Sequence, residues 1–197
     1  MHEFEHIIHF ERGLLYTLKQ LALRSAQSIR GFIEGDRQRM TKPLIFSVLC
    51  GVAYSFVNKF VHFSDVTQDA DFKEIYPIMQ WLVDHYGYFH LLLSLITALW
   101  LRVFFRKNPY NFFELIILLC YVMGFAILIN LVVVFPEKYL NMGLLGTILE
   151  LVYLSWSIGQ FFGNKWTNYL KACIVCILSF ILLMVLLLST ALLVKLF

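Results

Sequence analysis

Charge is scarce in this sequence: Asp, Glu, Lys and Arg make up only 15% of its 197 residues, against roughly 25% in an ordinary soluble domain. A soluble fold of this size leaves much of its area facing water, and so few charges cannot cover it. Disorder, a collagen-like chain and a basic nucleic-acid-binding domain are excluded, and no direct nucleic-acid partner is expected. Catalytic signatures are missing too. No Gly-x-Ser-x-Gly, P-loop or His-Glu-x-x-His occurs, and His62, His85 and His90 follow no Arg at the spacing of a ribonuclease-like Arg-His pair. A non-enzymatic protein without a cofactor is the expectation. Cysteine is equally sparse: Cys173 and Cys176 form a Cys-x-x-Cys inside an apolar run, while Cys50 and Cys120 stand alone. Zinc needs four ligands, so apolar packing is expected there rather than a metal. His2, His6 and His9 fall at helical spacing and would present three imidazoles on one face, but at a terminus prone to fray. No secretory signal peptide is read in the polar first 42 residues, which leaves targeting to the first apolar run.

What the sequence has is apolar length. Sixty per cent of residues are hydrophobic, with 19 Phe and 10 Tyr, and the mean hydropathy is +0.74. The apolar residues concentrate in stretches 43–63, 87–105, 110–135, 142–162 and 172–194. Each approaches or exceeds the roughly 20 residues a helix needs to cross the hydrocarbon core. They do not alternate apolar with polar as a barrel strand must, and in lipid a backbone satisfied within its own segment is a helix. The expectation is an all-α, polytopic integral membrane protein with five transmembrane helices (43–197) behind an amphipathic cytoplasmic region (1–42).

Lys and Arg set the orientation. Arg12, Lys19, Arg24, Arg30, Arg37, Arg39 and Lys42 precede the first run. Arg102, Arg106 and Lys107 follow the second, and Lys165 and Lys171 follow the fourth. The opposite loops hold Lys59, Lys73, Lys138 and Lys195, with Asp65, Asp69, Asp71, Glu74 and Asp84 among them. The positive-inside rule then predicts a cytoplasmic N-terminus and an external C-terminus in a bacterial inner membrane.

Within residues 1–42, Phe4, Ile8, Glu11, Leu15, Leu18 and Ala22 recur at helical spacing with Leu14 and Leu21 beside them, while Glu5, Arg12, Lys19 and Arg30 fill the other arc. Such a helix lies in the headgroup region or docks on its own spans, with Leu14, Leu15, Leu18 and Leu21 as the buried face. Gly31 and Gly35 are expected to break it, and Pro43 to open the first span. Residues 64–86 read as partly helical, with Ile75, Met79, Leu82 and Tyr86 on one face.

The densest polar pattern lies on the fourth run. Gly143, Gly146, Glu150, Tyr153, Ser157 and Gln160 step by three and four residues and so share one helical stripe. A carboxylate near the bilayer centre, as Glu150 is expected to be, must face the bundle, a partner or water. Two readings fit: a polar conduit or ion- or proton-responsive site, and a helix–helix seam in which small residues admit a neighbour and Glu150 bonds across it. His90, Ser94 and Thr97 form a shorter stripe on the second run as possible partners, and Ser47, Gly51 and Ser55 a small-residue packing face on the first. Glu114, Arg102 and Lys59 sit near interfaces as anchors.

The segment ERGLLYTLKQLALRSAQSIRGFIEGDRQRMTKP (11–43) resembles the opening of an uncharacterised bacterial multi-span membrane-protein family, with its Gly-Leu-x-Tyr-Thr-Leu helix, Ile-Arg-x-x-Ile-x-Gly step and Lys-Pro junction. FFRKNPYNFFELIILL (104–119) and LVYLSWSIGQFFGNKW (151–166) are similar to its later turns. Members usually begin with a zinc ribbon that this chain lacks, and the family's function is unknown. In length and layout the chain is also similar to small membrane proteins encoded beside type VI-B CRISPR nucleases. That similarity implies an accessory that modulates membrane permeability, or modulates an RNA-guided effector, in antiphage defence. The alternatives are a carrier or lipid-handling transporter coupled through Glu150, and a scaffold recruiting a cytoplasmic protein through residues 1–42. The lipid bilayer and further copies of the chain are the other expected partners.

Overall fold

The fold comes from a computed structural model, which describes the backbone of residues 2–37, 39–61, 85–140 and 143–196 and the side chains of 13–37, 39–58, 85–133 and 145–189. The reading of 64–86 as partly helical therefore lies almost wholly outside the described residues. So do the side chains of His2, His6 and His9 and the surroundings of Gly143. Every regular element among the described residues is a helix: α1 (His2–Glu34), α2 (Pro43–Val61), α3 (Tyr86–Phe104), α4 (Phe112–Leu140), α5 (Gly143–Phe161) and α6 (Trp166–Leu196). Three helices are long and apolar enough to cross a membrane, over Tyr86–Phe104, Phe112–Val133 and Trp166–Ser189, and Pro43–Asn58 is a shorter apolar helix.

The helix ends follow local chemistry. Pro43 opens α2, where its missing N–H is no loss. Glu114 Oε2 accepts the Asn111 N–H at 2.7 Å as α4 begins, satisfying a donor that the first turn leaves open. Between α5 and α6, Gly163 takes φ +116°, and Asn168 Nδ2 donates to the carbonyls of Phe162 and Gly163 at 3.0 and 2.9 Å. The last helix thus starts at Trp166, earlier than the apolar run at 172 suggests. Gly31 does not break α1. The helix runs on to Glu34 and ends where Gly35 adopts φ +131°.

Helix α4 is the centre of the bundle. Its apolar span is 56% buried inside the protein, against 39% for α3 and 28% for α6, and it packs against α1, α2, α3 and α5. Tyr121, Leu118, Leu119, Met123 and Ile127 line its fully buried length. The outer helices instead expose apolar lanes: Leu44, Val48, Val52 and Phe56 on α2, Leu92, Leu95, Leu99 and Val103 on α3, and Ile174, Ile177, Ile181, Val185 and Leu188 on α6. Exposed apolar surface repeated on several helices is what a lipid solvent tolerates and water does not.

Close approach between helices rests on glycine. A Cβ on Gly51 would fall 2.6 Å from the Cα of Gly87, and one on Gly124 would meet the Phe46 ring at 3.0 Å and Ser47 Cα at 3.2 Å. The small-residue face of α2 is thus divided: Gly51 admits α3, and Ser47, which is buried, borders α4. Ser55 lies half-buried beyond them.

Helix α1 docks on the bundle across α4 and α5. Leu21, Ala26, Ile29 and Phe32 are buried, and Leu14 and Leu18 pack against the core. Leu15 departs from the expected face, being 66% exposed, and Leu23 is turned out with it. At about 100° per residue, Leu14, Leu18 and Leu21 share one face while Leu15 and Leu23 fall off it; a break at Arg24 (φ −144°, ψ 46°) then joins this piece to the next. The Tyr153 hydroxyl donates to the Leu21 carbonyl at 3.1 Å beside this break. Further along, Arg30 donates to the carbonyls of Gln160 (2.7 Å) and Phe161 (2.7 and 3.2 Å), capping the C-terminal end of α5. A cation at that end also meets the negative pole of the helix dipole.

Candidate functional site: a buried carboxylate–imidazole pair

Glu150 does not stand alone on its stripe. Its Oε1 lies 2.7 Å from His90 Nε2, and its Oε2 accepts hydrogen bonds from Asn130 Nδ2 and, at 3.3 Å, from the Tyr86 hydroxyl. Asn130 Nδ2 also donates to the Tyr86 oxygen at 3.1 Å. Three helices supply the cluster: α3 gives Tyr86 and His90, α4 gives Asn130, and α5 gives Glu150. Tyr54 of α2 closes it by stacking on Tyr86, with ring centroids 4.1 Å apart at 24°. His90 is 2% exposed and Glu150 13%.

The hydrogen-bond pattern decides where the protons are. His90 Nδ1 lies 3.1 Å from the Tyr86 carbonyl; a carbonyl only accepts, so Nδ1 carries a proton. Oε2 of Glu150 already accepts from two donors, so a proton on the carboxyl would sit on Oε1. One further proton therefore lies on the line between Oε1 and Nε2. Held by nitrogen, it makes an ion pair; held by oxygen, it makes a neutral acid beside a neutral imidazole. Both states have no net charge, which suits an environment that penalises isolated charge. Adding or withdrawing one proton leaves a net charge among apolar helices.

Gly146 has a specific task here. A Cβ at that position would come within 2.6 Å of Asn130 Oδ1, so the stripe is small at this point to admit the amide. The pair stands about two turns into α5 and about one turn into α3. Glu150 thus lies close to the middle of α5, and His90 nearer the start of α3.

The rest of the stripe faces elsewhere. Tyr153 bonds α1, the main-chain carbonyl of Gln160 accepts from Arg30, and Ser157 is buried with its hydroxyl unpaired among the described residues. Gly143 lies at the first position of α5. Of the three possible partners on α3, only His90 reaches Glu150. The Ser94 and Thr97 hydroxyls donate to Leu91 and Leu93 carbonyls of their own helix at 2.6 and 2.7 Å. Sequence reading missed Asn130 and Tyr86. The signal for Asn130 was available, since it is a lone amide in a long apolar run; Tyr86 had been read with the preceding loop. Cys173 and Cys176 lie unpaired on α6, and no group of three or more His, Cys, Asp or Glu gathers among the described residues.

Compared with protein-family models, curated proteins and solved structures, the chain matches none.

Proposed function

We propose that this chain is a non-enzymatic accessory protein of the bacterial inner membrane that changes membrane permeability, with the Glu150–His90 pair as its proton-responsive element. The observation that supports this is the pair itself: a transferable proton held between two buried atoms and positioned from three helices. Replacing a buried ion pair with apolar residues is often neutral or stabilising, so packing alone gives little reason for four polar groups at one junction. In this reading α2 and α5 cross the membrane beside the spans Tyr86–Phe104, Phe112–Val133 and Trp166–Ser189. Each has 19 residues, about 28 Å at 1.5 Å per residue, close to the roughly 30 Å of hydrocarbon. The N-terminus is cytoplasmic and the C-terminus external, which puts the pair in the outer half of the bilayer. Tyr86 bonds the pair directly, and Tyr54 of α2 stacks on Tyr86. In a cell the accessory works in antiphage defence, the role implied by its likeness in build to the CRISPR-associated membrane proteins.

The test is proton and ion flux in liposomes carrying the purified chain. Flux that rises as external pH falls, and is lost in Glu150→Gln while insertion persists, is expected; a bilayer no leakier than empty liposomes at any pH overturns the proposal. A reporter active only outside the cytoplasm is expected to work after Phe197 and to fail before Met1. A second reading, a scaffold that recruits a cytoplasmic protein through residues 1–42, is favoured by the outward Leu15 and Leu23. It predicts that Leu15→Asp with Leu23→Asp abolishes the cellular effect without altering flux.

A further inference from the structure

A second polar feature lies at the opposite end of the bundle. A cavity of about 350 Å³ opens at the turn between α3 and α4, within the roughly 300–1,000 Å³ range of small-molecule sites. Arg102, in the last turn of α3, and Arg106 and Asn108, in the turn, form its polar wall; Tyr110 and the stacked rings of Phe105 and Phe162 (3.9 Å, 12°) form its floor. Both guanidinium groups are exposed, and neither has a hydrogen bond or ion pair among the described residues. The nearby carboxylate of Glu114 is engaged by the Asn111 N–H. A third cation stands at the rim, with Lys171 Nζ 5.7 Å from the centre of the Phe105 ring. Planar guanidinium forks match phosphate oxygens.

One further feature distinguishes a lipid phosphate from a soluble one. Leu92, Leu95, Leu99 and Val103 are exposed at steps of three and four along α3, and Val103 is itself part of the cavity wall. The lane runs from the basic pocket into the apolar zone. A free phosphate has a use for the arginines alone, whereas a phospholipid has a use for both. We propose that this cavity binds the phosphate of an anionic phospholipid whose acyl chain lies along the Leu92–Val103 lane. Basic pockets between membrane helices are suited to this chemistry. The inference rests on α3 crossing the bilayer and is independent of the Glu150–His90 pair.

The experiment is native mass spectrometry of the full chain in detergent, titrated with phosphatidylglycerol, phosphatidylcholine or inorganic phosphate. The wild type is expected to retain phosphatidylglycerol in preference to phosphatidylcholine. Arg102→Gln with Arg106→Gln is expected to lower that preference by roughly fivefold for each arginine, with helicity by circular dichroism unchanged. Arg102→Lys with Arg106→Lys is expected to keep part of it, and Lys107→Gln, outside the cavity wall, all of it. Equal retention of both lipids by the wild type overturns the proposal. So does a preference that survives in the double Gln variant, or displacement of the lipid by inorganic phosphate at matching concentration.

Discussion

Substituting Glu150 separates a proton-carrying role from a packing role because the two available changes remove different things. Glu150→Gln keeps the length and shape of the side chain. Its amide donates to the bare Nε2 of His90 and its carbonyl oxygen accepts from Asn130 and Tyr86, so every bond in the cluster has a replacement while the transferable proton is gone. Its stability cost is expected to be below about 1 kcal/mol, since interhelical bonds in membranes average roughly 0.6 kcal/mol. Glu150→Leu strands His90 Nε2, one Asn130 N–H and the Tyr86 hydroxyl. Three groups at roughly 0.6–1.7 kcal/mol each sum to about 2–5 kcal/mol. The Asn130–Tyr86 bond at 3.1 Å survives and leaves the loss toward the lower end. The assay combines reversible unfolding in mixed micelles with dye-reported proton flux in liposomes. The expected result is a Gln variant that is stable and silent, and a Leu variant that is unstable. Wild-type flux in the Gln variant refutes the proton role, and wild-type stability in the Leu variant refutes the claim that these bonds hold α3, α4 and α5 together.

Three further substitutions test the surrounding architecture. Gly146→Ala, whose Cβ would sit 2.6 Å from Asn130 Oδ1, is expected to displace the amide and lower stability by about 1–3 kcal/mol; adding Asn130→Ala should remove most of that penalty in the same unfolding assay. Gly51→Ala places its Cβ against the Gly87 backbone, which cannot rotate away, so α2 and α3 are expected to separate. A shortened cross-linking yield between introduced cysteines at Val52 and Tyr88 would register it, and an unchanged yield would contradict it. Arg30→Gln removes the charged cap on α5 at an expected cost of about 1–2 kcal/mol, read as faster proteolysis within residues 13–34 while the spans stay protected.

The positions of the helices were largely legible in the sequence because apolar length is a local property. The runs at 43–63, 87–105 and 142–162 match Pro43–Val61, Tyr86–Phe104 and Gly143–Phe161 closely. The discrepancy at the last run has a chemical reason. Lys171 is charged and so falls outside the apolar run, yet it lies on the helix, which begins at Trp166 after the turn that Gly163 makes and Asn168 secures. Which helices are neighbours was not legible. α4 is apolar on every side, and a helix without a polar face carries no signal of what surrounds it. The break at Arg24 was hidden for a different reason: nothing local to Arg24 marks it, and the bonds that secure the two pieces come from Tyr153 and Gln160–Phe161, far along the chain.

The site shows the same division between local and distant information, and it bears on mechanism. Glu150 stood out because a carboxylate among apolar residues is costly on its own, and His90 because it lay on a polar stripe. Their pairing at 2.7 Å is a property of two helices brought together by α4. Further along the same stripe the Tyr153 hydroxyl serves α1 instead, donating to the Leu21 carbonyl, and the main-chain carbonyl of Gln160 accepts from Arg30. A continuous conduit along α5 would need those groups to face water; they face a docked helix. Permeability controlled from this stripe therefore requires α1 to move, or a path that passes the pair without following α5. The two routes separate experimentally. Tethering α1 to α5 by a disulfide between cysteines placed at Ser25 and Ser157, buried residues of two helices that pack together, should block flux by the first route and leave the second intact, while reduction restores it. If flux persists with the tether closed, the proton on the Glu150–His90 pair acts without undocking α1.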